Sequence, residues 1–134
     1  MKKIIKIILM VTLTFTIGLR EVIAIEKIKI GLLIPTTGKN SKIGHSIIKS
    51  VQLAVNKIDN KYIEIIPKDT QSNPDGTLRA AKELSSLGVK IVIGPVFNEN
   101  LIYLDELDEL IFLSLTNKNN NISKNIINAG INAT

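Results

Sequence analysis

The sequence predicts an α/β fold in which a parallel sheet is covered by helices on both faces. Three features point there. Four short apolar runs, Ile28 to Ile34, Ile63 to Ile66, Val89 to Ile93 and Ile111 to Leu115, each stop at a proline, a glycine or a polar turn. The segments between them carry apolar residues at the three-and-four spacing of amphipathic helices. The strands themselves lack polar alternation, as strands buried on both sides do.

The first element precedes that pattern. Lys2, Lys3 and Lys6 lead into the apolar stretch Ile7 to Leu19, and Arg20 to Ala24 follows with Val22 and Ala24 at the spacing a signal peptidase accepts. A membrane-spanning helix needs roughly 20 mostly apolar residues. This stretch has 13, three of them threonine. Residues 1–24 are therefore expected to be a cleavable signal peptide, with residues 25–134 forming part of one domain in the periplasm.

Removing residues 1–24 takes four cationic side chains and one glutamate with it, so the formal charge falls from +5 to +2. The remaining lysines are scattered, with no basic run and little aromatic interleaving, which argues against a nucleic-acid partner. Cysteine is absent, excluding disulfides, thiolate metal sites, a cysteine nucleophile and a lipid-modified cysteine. Contact with a membrane is expected only through the transient signal.

Along the mature chain, Ile28 to Ile34 is the first strand, stopped by Pro35. Ile47, Ile48, Val51, Ala54, Val55 and Ile58 then form one apolar helix face, with Ser46 a candidate N-cap. Ile63 to Ile66 is a second strand ending at Pro67. Asn73-Pro74-Asp75 is a strong helix start: asparagine caps free amides, proline suits the first turn, and a carboxylate meets the positive helix end. That helix should run to Leu87 with Leu78, Ala81, Leu84 and Leu87 inward, and Gly88 supplies a left-handed stop. Val89 to Ile93 is the third strand. Asn98 can cap a short helix carrying Leu101, Leu104 and Leu107, Ile111 to Leu115 is the fourth strand, and Asn125 to Ala129 opens a fifth.

Strand and helix thus alternate with short connections, a Rossmann-like order. In such sheets ligands meet the loops at the C-terminal ends of the strands. Those loops offer short hydrogen-bonding side chains, and Thr37, Asn98, Thr116 and Asn117 are the candidate ligand-binding residues. The same residue types also cap helices and shape turns, and position alone does not separate the two roles.

Catalytic constellations are lacking. The sequence has no Gly-x-Ser-x-Gly elbow, no phosphate-cradling glycine loop, no dinucleotide fingerprint and a single histidine, His45, read as a solvated residue beside a helix. Asp105, Glu106, Asp108 and Glu109 could be a cation site, but consecutive helical residues point different ways, which favours a solvated helix end. Asn121-Ile122-Ser123 and Asn132-Ala133-Thr134 fit the glycosylation pattern, which a chain so rich in asparagine produces by chance. No enzyme activity, metal or cofactor is expected.

Four segments carry a resemblance. Ile30-Gly31-Leu32-Leu33-Ile34-Pro35-Thr36-Thr37-Gly38, then Gly44 and a helix, then Lys68-Asp69-Thr70 with Asn73-Pro74, then Val92-Ile93-Gly94-Pro95, resemble in order the first lobe of the type I periplasmic binding proteins. Their best-known members bind branched-chain amino acids and amides for ABC importers. The resemblance implies a small polar solute and an ABC permease as partners, with the solute's head groups held by loops after the third and fourth strands. Asn98 stands where the family usually has a serine, Lys118 where it has a threonine, and Ile43 where an aromatic precedes the glycine of the first loop.

Gly94-Pro95-Val96-Phe97-Asn98-Glu99-Asn100-Leu101 and Phe112-Leu113-Ser114-Leu115-Thr116-Asn117 also look like segments of the activators of penicillin-binding proteins. Those share the fold but act by contacting a cell-wall synthase. The family has two lobes, and Thr134 falls around the fifth strand of the first. The resemblance therefore implies a truncated lobe with an unpaired sheet edge.

Overall fold

The computed structural model describes residues 1, 3–6, 26–117 and 123–130. The apolar stretch Ile7 to Leu19, the cleavage position after Ala24, Lys118, and most of the two glycosylation patterns lie outside the described residues. Among those described, no helix is long and apolar enough to cross a membrane.

Strands β1 (Ile28–Ile34), β2 (Ile63–Asp69), β3 (Ile91–Ile93), β4 (Ile111–Ser114) and β5 (Ile126–Asn128) form one sheet in the order β2-β1-β3-β4-β5. Every pairing is parallel. Helix α1 (Ser41–Ile58) joins β1 to β2, and helix α2 (Pro74–Ser86) carries the chain from β2 past β1 to β3. Two short 3-10 turns, Asn98–Leu101 and Leu104–Glu106, connect β3 to β4.

The core lies on the α2 face. Strand register puts Val92 beside Phe112, and both are fully buried together with Leu33. Ala80, Ala81 and Leu84 of α2 close on them, joined by Leu104, Leu107 and Leu110 from the β3–β4 connection. The predicted stripe holds at Leu78, Ala81 and Leu84 and widens to the buried Thr77 and Ala80, whereas Leu87 is exposed at the C-cap. Asn73 is the predicted N-cap, its side chain accepting from the Gly76 amide at 2.7 Å, with proline in the first turn. Gly88, at φ +78°, supplies the predicted stop.

Two boundaries differ from expectation. Helix α1 begins at Ser41 with Asn40 at the cap position, so Ser46 lies inside it and its hydroxyl donates to the Lys42 carbonyl at 3.0 Å instead of capping. Gly44 explains the early start. A Cβ there would stand 2.0 Å from the Pro35 carbonyl oxygen, so only glycine lets the first helical turn press against the end of β1. Strand β2 continues through Pro67 to Asp69, pairing Pro67 with Leu32 and Asp69 with Ile34. The sheet order puts β2 at an edge, where proline's missing N–H leaves no internal ladder bond unmade.

The opposite face is only partly covered by the described residues. Ile48, Val51 and Val55 of α1 face Leu32, Ile65 and Pro67 across a space of about 300 Å³. Farther along the same face Ile91, Ile111 and Ile127 are 46%, 48% and 54% exposed. Apolar strands without alternation gave the expectation of cover on both faces, and among the described residues that holds over β1 and β2.

Candidate functional site

All the parallel strands deliver their C-terminal ends to one edge of the sheet, and the candidate residues gather there in two groups.

The first group is built by the loops after β3 and β4. The Gly94 amide donates to the Leu113 carbonyl at 2.8 Å and the Leu115 amide to the Pro95 carbonyl at 3.0 Å, tying the two loops side by side. The Gly94–Pro95 peptide is cis. Gly94 has φ +106°, and a Cβ on it would lie 2.3 Å from the Leu33 carbonyl oxygen, so the turn leaving β3 admits only glycine. Past this turn, residues Val96 to Glu99 and Leu115 to Asn117 face each other across a cleft of about 410 Å³. The cleft unites three of the four candidate residues, Asn98, Thr116 and Asn117.

Their exposure differs. Asn98 is half-buried and Asn117 exposed, so both residues remain accessible to solvent. Thr116 is only 5% exposed and is a wall residue of the cleft, its amide donating to the Ser114 hydroxyl at 3.3 Å. Asn98 is not the cap its position suggested: Phe97 holds that place, and the turn it opens has four residues. Glu99, which the sequence reading passed over, lines the cleft beside Asn98 and lies in the first turn. Adjacent position to Asn98 in the strand-end loop was the available signal.

The second group centres on Asp69 at the end of β2. Its Oδ1 accepts from the amides of Thr36 at 2.8 Å, Thr37 at 3.1 Å and Gln71 at 2.9 Å, and its Oδ2 accepts from the Thr37 hydroxyl at 2.5 Å. Burial works to raise the Asp69 pKa. The Thr37 hydroxyl and the amides of Gln71, Thr37 and Thr36 outweigh it and hold the carboxyl at about 2. Ser72 adds to the junction: its hydroxyl donates to the Thr37 carbonyl at 3.0 Å and accepts from the Asn40 amide at 3.3 Å. Gln71 and Ser72 adopt φ of +53° and +57°, a left-handed pair held by these bonds and by Arg79, which donates to the Gln71 side chain at 2.8 Å. Thr37, the fourth candidate, therefore has its hydroxyl proton committed within the protein and stands outside the β3–β4 cleft.

The other polar candidates lie on the surface. His45 is exposed on α1, and Asp105, Glu106, Asp108 and Glu109 are all exposed. Among the described residues, no group of three or more His, Cys, Asp or Glu side chains could hold a metal ion.

Solved structures share this architecture. The leucine binding protein LivK from Thermotoga maritima MSB8 matches with a TM-score of 0.66 at 19% identity, over 74% of this chain and 31% of that one. A solute binding protein of an ABC transporter from Rhodopseudomonas palustris BisB5, in complex with 3,4-dihydroxybenzoic acid, gives a TM-score of 0.59 at 27% identity, over 66% of this chain and 27% of that one. Full-length LpoA from Haemophilus influenzae gives 0.57 at 23% identity, over 69% and 17%. The chain thus spans about a third or less of each of these proteins. No curated protein matches the chain significantly. The sequence profile described as periplasmic binding protein matches residues 27–128, most of the chain, and the chain belongs to the periplasmic binding protein family.

Proposed function

We propose that the protein is an extracytoplasmic solute-binding protein of an ABC import system, taking an amino acid, an amide or a similarly small polar solute, and that residues 1–24 export it as a cleavable signal. Binding rather than catalysis is the role. The observation that carries this reading is the cleft between the loops after β3 and β4, at the edge of a parallel sheet where ligands collect. Two of its accessible polar side chains, Asn98 and Asn117, both donate and accept hydrogen bonds. In this reading Asn98 and Asn117 contact the solute, Thr116 shapes the wall, and Thr37 braces the neighbouring loop through Asp69.

A thermal-shift screen of amino acids, amides and short peptides on the full-length protein tests it. A solute at a hundred times its dissociation constant adds about 2.7 kcal/mol of stability.

The likeness to LpoA over 69% of this chain favours a second reading, an activator of peptidoglycan synthesis that acts by contacting a penicillin-binding protein. Under it the thermal-shift screen is silent on folded, ligand-free protein, and the folded protein binds the synthase.

A further inference from the structure

The strands are all parallel, so their first residues lie along one rim of the sheet, opposite the edge that carries the cleft. Both helices run back toward this rim: α1 ends at Ile58, and α2 reaches its C-cap at Leu87. Single exposed apolar residues are ordinary on a surface, but a gathering of them marks an interaction site. Ile28, Ile58, Tyr62, Leu87, Ile91 and Ile111 are all exposed along this rim. The Ile28 amide donates to the Tyr62 carbonyl at 2.7 Å and the Ile111 amide to the Lys90 carbonyl at 2.9 Å, which fixes their places.

Lysines are interleaved with these residues. Lys27, Lys29 and Lys90 are exposed and border a groove of about 300 Å³ together with Ile28, Ile91, Gly88 and Glu26. Lys29 also donates to the Leu87 carbonyl at 2.8 Å, placing a cation at the negative end of α2. Lys61 stands 5.3 Å from the centre of the Tyr62 ring. Asp59 and Glu109 reach the same rim, and Glu109 accepts from the Ser85 hydroxyl at 2.9 Å. Positive charge is therefore concentrated at the groove, where ammonium groups and isoleucine side chains stand side by side. A soluble polyanion would meet the lysines and leave the isoleucines in water, whereas an anionic lipid surface takes both.

We propose that this rim docks on an anionic phospholipid surface, with Lys27, Lys29 and Lys90 meeting the phosphates. Ile28, Ile91 and Tyr62 then enter the boundary between headgroups and acyl chains. Docking in this way turns the β3–β4 cleft away from the lipid and leaves it open, so the proposal goes beyond the solute-receptor reading and holds equally under the activator reading.

Vesicle co-sedimentation of the full-length protein, as the expressing bacterium processes it, is the test. Binding to phosphatidylcholine vesicles containing phosphatidylglycerol should be at least about tenfold tighter than to phosphatidylcholine alone, and the preference should shrink as salt is raised. Lys27→Gln combined with Lys90→Gln should weaken binding to the anionic vesicles about tenfold or more. Lys29 is left in place because it holds the Leu87 carbonyl. Lys39→Gln combined with Lys42→Gln removes the same charge from the opposite edge and should leave binding within about twofold. All four lysines are exposed, so both double variants should melt with the wild type. Tyr62→Ser keeps every charge and should weaken binding about threefold, because binding scales with the apolar area embedded. Absence of binding, equal binding to both kinds of vesicle, equal loss from the two lysine pairs, or no loss in Tyr62→Ser overturns the proposal. None of these outcomes bears on the solute screen, which tests the receptor reading separately.

Discussion

The Thr37 hydroxyl donates to the Asp69 carboxylate at 2.5 Å, joining the loop after β1 to the end of β2. With three backbone amides on its other oxygen, Asp69 fixes the conformation of two strand-end loops at once. These contacts favour the ionised carboxylate and hold its pKa at about 2, below the ordinary aspartate value. A carboxyl depressed in the folded state contributes stability that is present above its unfolded pKa and lost as pH falls through its folded pKa. For Asp69 that window runs from about pH 4 down to about pH 2. Asp69→Asn should therefore lower the melting temperature at pH 7, and the difference from the wild type should shrink across that window. A constant difference from pH 7 to pH 2 would exclude the ionised carboxylate as the source.

Removing the α2 cap is a purely local change. Asn73→Ala deletes the side-chain acceptor for the Gly76 amide, which is part-buried at 2.7 Å. Equilibrium denaturation should show a loss of about 1 kcal/mol, within the range typical of N-cap deletions. Asn73→Asp, which keeps the acceptor, should recover most of it.

A side chain at Gly94 should cost far more. In Gly94→Ala the new Cβ meets the Leu33 carbonyl oxygen at 2.3 Å in a backbone conformation with φ +106°. Backbone on both sides of the contact leaves no flexible side chain to yield. The substitution should destabilise the lobe by roughly 3 kcal/mol or more, read as a drop in denaturation midpoint. Because the same turn sets the lip of the cleft, solute affinity should fall with it.

The alternation of strands and helices, the Asn73 cap and the Gly88 stop were legible in the sequence because each depends on neighbours in the chain: apolar runs, Asn-Pro-Asp, a glycine after a leucine stripe. The Ser46 cap failed for the opposite reason. What starts α1 at Ser41 is the clearance between Gly44 and Pro35, a contact periodicity does not encode. Pro67 marked the end of β2 only until the strand's place at the sheet edge was known. At the site, Asn98, Thr116 and Asn117 converge because parallel strands deliver their loops to one edge. That Thr37 gives its hydroxyl proton to Asp69, 32 residues away, required the fold itself.

Export is tested at the first residue of the secreted protein. Val22 and Ala24 set the expected cleavage, so N-terminal sequencing after expression in a bacterium should return Ile25 first. An intact Met1 in the cytosolic fraction would contradict it.

Asn98→Ala distinguishes a solute contact from a structural residue. Asn98 is half-buried in the cleft lining, and Phe97, not Asn98, stands at the cap of the turn that follows. Its removal should therefore leave the ligand-free melting temperature within experimental scatter. In the presence of a bound solute, losing one hydrogen-bonding side chain typically costs about 1 to 3 kcal/mol, or roughly tenfold to a hundredfold in affinity. The solute-induced rise in melting temperature should shrink by the corresponding amount at a fixed solute concentration. Thr116→Val is the contrasting substitution. Thr116 is only 5% exposed, so replacing its hydroxyl with a methyl group should act first on the stability of the ligand-free lobe. If Asn98→Ala lowers the ligand-free melting temperature as much as Thr116→Val and leaves solute affinity unchanged, Asn98 shapes the turn and the solute is held by other groups.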